Sequence, residues 1–94
     1  MKRTNSKQII DTLIELNPDA LTADGFDEAL IGICERFGQP ALAAYSYDKI
    51  IDIMVQRDGM TYEEAVEYFD YNIIGAWMGE HTPVFIRTET DLWR

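Results

Sequence analysis

The stretch Phe26-Asp27-Glu28-Ala29-Leu30-Ile31-Gly32-Ile33-Cys34-Glu35-Arg36-Phe37 decides the fold class, because it carries the cleanest apolar periodicity in the chain. Phe26, Ala29, Leu30, Ile33, Cys34 and Phe37 recur at the spacing of one helical face. Asp24, Asp27 and Glu28 gather where the positive end of a helix dipole favours carboxylates. Gly38 supplies a left-handed stop, and Pro40 follows two residues later. The pattern predicts a helix with Cys34 at the centre of its buried face, where a thiol is inert packing.

The elements on either side read as helices too. Ser6 caps a first helix with Ile9, Ile10, Leu13, Ile14 and Leu16 as its apolar positions, and Asn17-Pro18 stops it. Residues 17–24 form a polar loop around Leu21. Residues 41–45 are short and apolar, either a buried extended segment or a helical turn. Ser46 caps a third helix, with Tyr47, Ile50, Ile51 and Met54 on one side. Ile53 and Val55 widen its apolar stripe, and such girth predicts a central helix or a homodimer. Arg57 suits the C-terminal end of that helix, and Asp58-Gly59 breaks it.

Thr61 opens a fourth helix with Glu64 three residues on, the capping-box spacing. Its expected buried face is Tyr62, Ala65, Val66, Phe69, Ile73, Ala76 and Trp77. Gly75 inside it marks a close helix–helix contact or an early end, since glycine costs about 1 kcal/mol in a helix interior. Thr82-Pro83 then leads into a short strand at 84–86. The fold expectation is mainly α: about four helices in a compact bundle, with room for a small two-stranded β element from 41–45 and 84–86. One domain spans 1–94, with polar ends at 1–5 and 88–94 that have no pattern to order them.

Composition bounds the function. The 94 residues carry 17 acidic and 8 basic side chains, a net charge of −9. Direct binding to a phosphate backbone is disfavoured, because that contact needs Lys and Arg to displace counterions. Basic or nucleic-acid-binding proteins are the natural partners. The chain shows no membrane-spanning run and no signal-peptide pattern, and its single Cys suits a reducing cytoplasm.

Between Asp58 and Ile86 there are six carboxylates and no Lys or Arg. Glu63, Glu67 and Asp70 line one side of the fourth helix at i, i+4, i+7. The dipole accounts for Glu63 and Glu64 but not for Glu67 and Asp70 in mid-helix. A solvated charged face is the plain explanation, and a field for a basic partner is the functional one. Nucleic-acid mimicry by this helix alone is too sparse. Carboxylates four residues apart lie about 6 Å apart along the axis, against roughly 3.4 Å between phosphates of one strand. Tyr68, Tyr71 and Asn72 flank the acids, and tyrosines there either roof the core or act as interface anchors.

Catalytic readings are thin. Cys34 and His81 would have to meet as nucleophile and base, and His81 sits in a polar turn. Glu63, Glu67 and Asp70 make a weak carboxylate site for Mg²⁺, and no phosphate loop, zinc spacing or nucleophile elbow appears. No enzyme activity, cofactor or metal is expected.

The string Arg57-Asp58-Gly59-Met60-Thr61, Glu63-Glu64-Ala65, Tyr68-Phe69, Asn72, Gly75-Ala76-Trp77, Gly79-Glu80 and Thr82-Pro83 resembles small acidic proteins of uncharacterised function from bacteriophages, prophages and bacterial genomes. Gly32 to Pro40 and Tyr47-Asp48 fit the same resemblance, which covers roughly residues 32–85. It implies a phage or mobile-element context and a host-directed inhibitor or modulator. The expected surface is Glu63, Glu67, Tyr68, Asp70, Tyr71 and Asn72, docked on a host protein such as a defence or nucleic-acid-binding factor. Two rivals remain: an oligomeric small-ligand-binding protein built around the broad third helix, and a carboxylate-metal hydrolase or nuclease.

Overall fold

A computed structural model describes residues 6–88. The polar ends at 1–5 and 88–94 lie outside them, Thr88 excepted. The order of elements is α1 (Ser6–Leu16), a 3-10 turn (Asp27–Ala29), β1 (Leu30–Cys34), β2 (Leu42–Ser46), α2 (Tyr47–Asp58), α3 (Tyr62–Tyr68), a π turn (Phe69–Ile73) and β3 (Val84–Ile86). The three strands form one mixed sheet in the order β1-β2-β3. The expected four-helix bundle is therefore wrong: the described residues form a small α/β fold of three helices and a three-stranded sheet.

The error lies in the stretch 26–37. Only Asp27–Ala29 coil, and Leu30–Cys34 run extended, antiparallel to β2 with Leu30 opposite Tyr45 and Cys34 opposite Leu42. Ile31 and Ile33 are β-branched and Gly32 lies between them, a composition that suits a strand and weakens a helix. The register slips between Leu30 and Gly32, a bulge that leaves Ile31 exposed at the sheet edge. Gly38 caps no helix. It takes φ +74° in the hairpin turn, where Gln39 N–H donates to the Arg36 carbonyl at 3.0 Å. Phe37, expected in the core, stands fully in solvent at that turn, and Cys34 is half-buried on a strand.

β2 is the centre of the molecule. Ala43, Ala44, Tyr45 and Ser46 are all buried, because β2 has a strand on each side and helices against it. Its other neighbour, β3, pairs parallel, with Ala44, Tyr45 and Ser46 opposite Val84, Phe85 and Ile86. The segments 41–45 and 84–86 thus supply two of the three strands. A parallel pair needs a long crossover, and α2, α3 and the π turn provide it. Ser46 ends β2 and caps α2 at once, its hydroxyl accepting from Lys49 N–H at 3.2 Å, so strand passes into helix with no loop between.

Four aromatic rings lock this crossover to the sheet. Tyr45 stacks on Phe85 with ring centres 5.9 Å apart; Phe85 meets Phe69 edge-on at 5.3 Å; Phe69 meets Tyr47 edge-on at 4.9 Å. The chain of contacts joins β2, β3, the π turn and the start of α2. Ile50, Ile51 and Met54 of α2 are fully buried against this core, with Ile53 and Val55 half-buried beside them. The apolar girth of α2 that motivated the homodimer is therefore covered within one chain.

Phe69 is the ring with two aromatic partners in the crossover. Phe69→Ala is expected to cost about 3–5 kcal/mol, read as a lowered midpoint in urea unfolding with an unchanged slope.

Candidate docking surface

The helix that carries the predicted site is set at its start by a reciprocal cap. Thr61 Oγ1 accepts from Glu64 N–H at 3.1 Å, and Glu64 Oε1 accepts from Thr61 N–H at 2.9 Å. The helix then ends sooner than its periodicity predicts. Beyond Tyr68 the turn widens, with Ile74 N–H donating to the Phe69 carbonyl at 2.9 Å, the i to i+5 bond of a π turn. Gly75 closes it. A Cβ there would lie 2.9 Å from the Asp70 carbonyl oxygen and 3.1 Å from that of Tyr71, so only glycine fits against the widened turn. Of the two expectations for Gly75, the early helix end is the one realised.

The residues outside differ from those expected, Ala76 and Trp77 because the helix ends before them. Ala65 and Phe69 are buried and Val66 and Ile73 half-buried, but Tyr62, Ala76 and Trp77, expected inside, are exposed. Trp77 is 74 % exposed and Tyr71 82 %. Residues 62–78 thus present Tyr62, Tyr68, Tyr71, Ile74, Trp77 and Met78 to solvent, with Glu63, Glu67 and Asp70 among them.

Four of the six predicted residues converge. Glu67, Tyr68, Tyr71 and Asn72 line a shallow recess together with Met60 and Glu64. Glu63 and Asp70 are exposed on the same segment but line neither this recess nor the groove beside it. Tyr68 and Asn72 also form one wall of that groove, a cleft of about 320 Å³. Its other surfaces are Ile73, Ala76 and Met78, the loop from Leu21 to Asp24 with Phe26, and Thr82, Pro83 and Phe85. Tyr68 and Asn72 are thus a ridge between an acidic recess and a largely apolar trough. Asp52 of α2 does not extend this acidic face; it lines a separate recess with Asp27 and Glu28.

The loops of the groove are irregular, yet each is pinned by a specific bond. Tyr45 Oη accepts from Ala23 N–H at 2.8 Å. Burial raises the pKa of this hydroxyl against the opposing pull of the Ala23 bond, so it stays neutral. Thr82 Oγ1 donates to the Gly79 carbonyl at 2.6 Å and accepts from Met78 N–H at 2.9 Å. Buried Asn17 ties the two loops together. Its Oδ1 accepts from Asp19 N–H at 3.1 Å, and its Nδ2 donates to the Ala41 carbonyl at 2.8 Å, which fixes the orientation of the amide. The remaining N–H meets His81 Nδ1 at 3.1 Å, making that nitrogen the acceptor and assigning the proton to Nε2. Leu21 N–H in turn donates to the His81 carbonyl at 3.2 Å. His81 is therefore a half-buried clasp between loops.

Sequence reasoning misses these pins. Asn17-Pro18-Asp19 is an Asx-turn signal that reads beyond a helix stop, whereas nothing local marks the partners of Tyr45 or His81. Among the described residues, no three His, Cys, Asp or Glu side chains gather in a metal-holding group, and no helix is long and apolar enough to cross a membrane. Comparison with protein-family models, with curated proteins and with solved structures gives no match.

The pins and the cap each have a measurable consequence. Asn17→Ala strips donors from Ala41 and His81 and an acceptor from Asp19, and is expected to cost about 1–3 kcal/mol in denaturant unfolding. The Thr61 bonds, its backbone N–H first, hold the Glu64 carboxyl below its ordinary pKa. A lowered carboxylate stabilises the fold above its unfolded pKa and loses that contribution as pH falls through the folded value. Glu64→Gln should therefore show a shallower loss of stability than wild type between about pH 6 and 3, measured by thermal melts across that range.

Proposed function

We propose that this protein is a non-enzymatic binding module of phage or mobile-element type that occludes a surface on a host protein. The observation that carries the reading is the exposed row Tyr68, Tyr71, Ile74, Trp77 and Met78 on a segment free of Lys and Arg. Large aromatic side chains held out of a core cost apolar exposure and are the residue types that anchor interfaces. Glu63, Glu67 and Asp70 provide a negative field around them, which attracts a basic partner and orients it on approach. Tyr68, Tyr71 and Asn72 then supply the contacts. The small-ligand rival draws on the girth of α2, which the chain's own core covers, and on a pocket framed by Gly75 and the Thr82-Pro83 turn. Thr82 and Pro83 do line the groove, but the exposed aromatic row beside it favours a docking face.

Affinity capture from bacterial lysate, at about 50 mM and about 300 mM salt to span the screening range, tests the reading. A basic or nucleic-acid-binding protein held by wild type at low salt should be lost by the Glu67→Lys, Asp70→Lys double variant. Tyr71→Ala should weaken its binding by about 1–2 kcal/mol. Equal capture by the charge-reversed protein would remove this face from consideration.

A further inference from the structure

We propose that the groove behind the Tyr68–Asn72 ridge seats apolar anchors from a basic amphipathic segment of the partner, its Lys or Arg side chains lying over the acidic recess. This rests on the docking reading above and specifies its partner. It is carried by how the two depressions adjoin. The groove offers an aromatic and aliphatic interior, with Phe26, Ile73 and Phe85 at its base and Met78 exposed at its mouth. Its volume of about 320 Å³ lies at the small end of the 300–1,000 Å³ typical of ligand clefts. Across the ridge, Glu64 and Glu67 line the recess. Among the described residues, neither depression has a Lys or Arg in its lining, and Asp24 adds a carboxylate to the groove itself.

A purely basic segment would find charge but leave the apolar trough wet. A purely apolar one would leave the carboxylates without counter-charge. A segment carrying both kinds of side chain on one face satisfies both sides of the ridge, the arrangement by which grooves receive amphipathic segments. The groove is also built to hold its shape before the partner arrives. Tyr45 fixes the Ala23 loop and the Asn17–His81 clasp fixes the opposite one, so little ordering cost remains at binding.

The test is an NMR titration of the full chain with three synthetic peptides of equal length: Lys/Leu amphipathic, Lys/Gln, and Glu/Leu. The Lys/Leu peptide is expected to shift the methyl signals of Ile73 and Met78 and the amides of Ala23 and Phe26. The other two should leave these signals in place. Met78→Lys, a change at an exposed side chain, should weaken the Lys/Leu peptide about tenfold. Ala76→Trp, which fills the groove from its exposed wall, should do the same.

If Lys/Gln binds as tightly as Lys/Leu, charge alone is read and the groove proposal is overturned while the docking face stands. It is overturned equally if the shifts fall on another face, if no peptide binds, or if the groove methyls move with protein concentration alone, which would mark a second copy as the occupant. The lysate capture, which needs no groove, decides the broader reading separately.

Discussion

The burial of Tyr45 is the constraint on which the rest of the structure depends. It sits on the middle strand with no exposed surface, and both ends of its side chain are committed. The ring stacks on Phe85 and so holds the short parallel strand that closes the crossover. The hydroxyl reaches past the sheet to the Ala23 amide and fixes a loop with no regular structure of its own. A buried hydroxyl without a partner costs about 1–3 kcal/mol, so this bond ties the loop to the strand. Phe85 extends the contact to Phe69 and Phe69 to Tyr47, and the chain turns back on itself around these rings.

The candidate docking surface is a by-product of that arrangement. Phe69 must point inward to meet Phe85 and Tyr47, and the backbone widens into a π turn directly after it enters. The chain leaves its helical course after this turn, so Ala76 and Trp77, which an unbroken helix would carry inward, lie outside with Tyr71 and Ile74. Gly75 lets the chain leave the turn, and residues 76–83 return across the open side to β3, forming the far wall of the groove. Among the described residues, no Lys or Arg forms an ion pair with Glu63, Glu67 or Asp70 on the same segment.

Much of this was legible in the chain and some was not. Caps at Ser46 and Thr61 declared the starts of α2 and α3, because capping is local chemistry between residues three apart. Glu67, an acid the helix dipole does not explain, and Tyr68, Tyr71 and Asn72, positions the core does not clearly need, line one recess. The stretch 26–37 misled, since Leu30, Ile33 and Cys34 satisfy a helical period as readily as a strand when a short apolar run is read alone. What decides it is β2, which needs a neighbour on that side, and such long-range demand has no local signature. The same holds for the groove. One wall of it comes from residues 21–26, and their position depends on Tyr45 and on the Asn17–His81 clasp, contacts separated by 22 and 64 positions in sequence.

Side chains of the core hold the loops of the groove, which predicts that the groove keeps its shape in the free protein. Native-state hydrogen exchange at two backbone amides tests this most directly. The amides of Ala23 and Leu21 lie in a segment without helix or strand, yet donate to Tyr45 Oη and to the His81 carbonyl. Their protection should be comparable to that of the β2 amides at Ala44 and Tyr45. Exchange at the rate of an open loop, with β2 still protected, would show that the groove is not preformed and would contradict the claim.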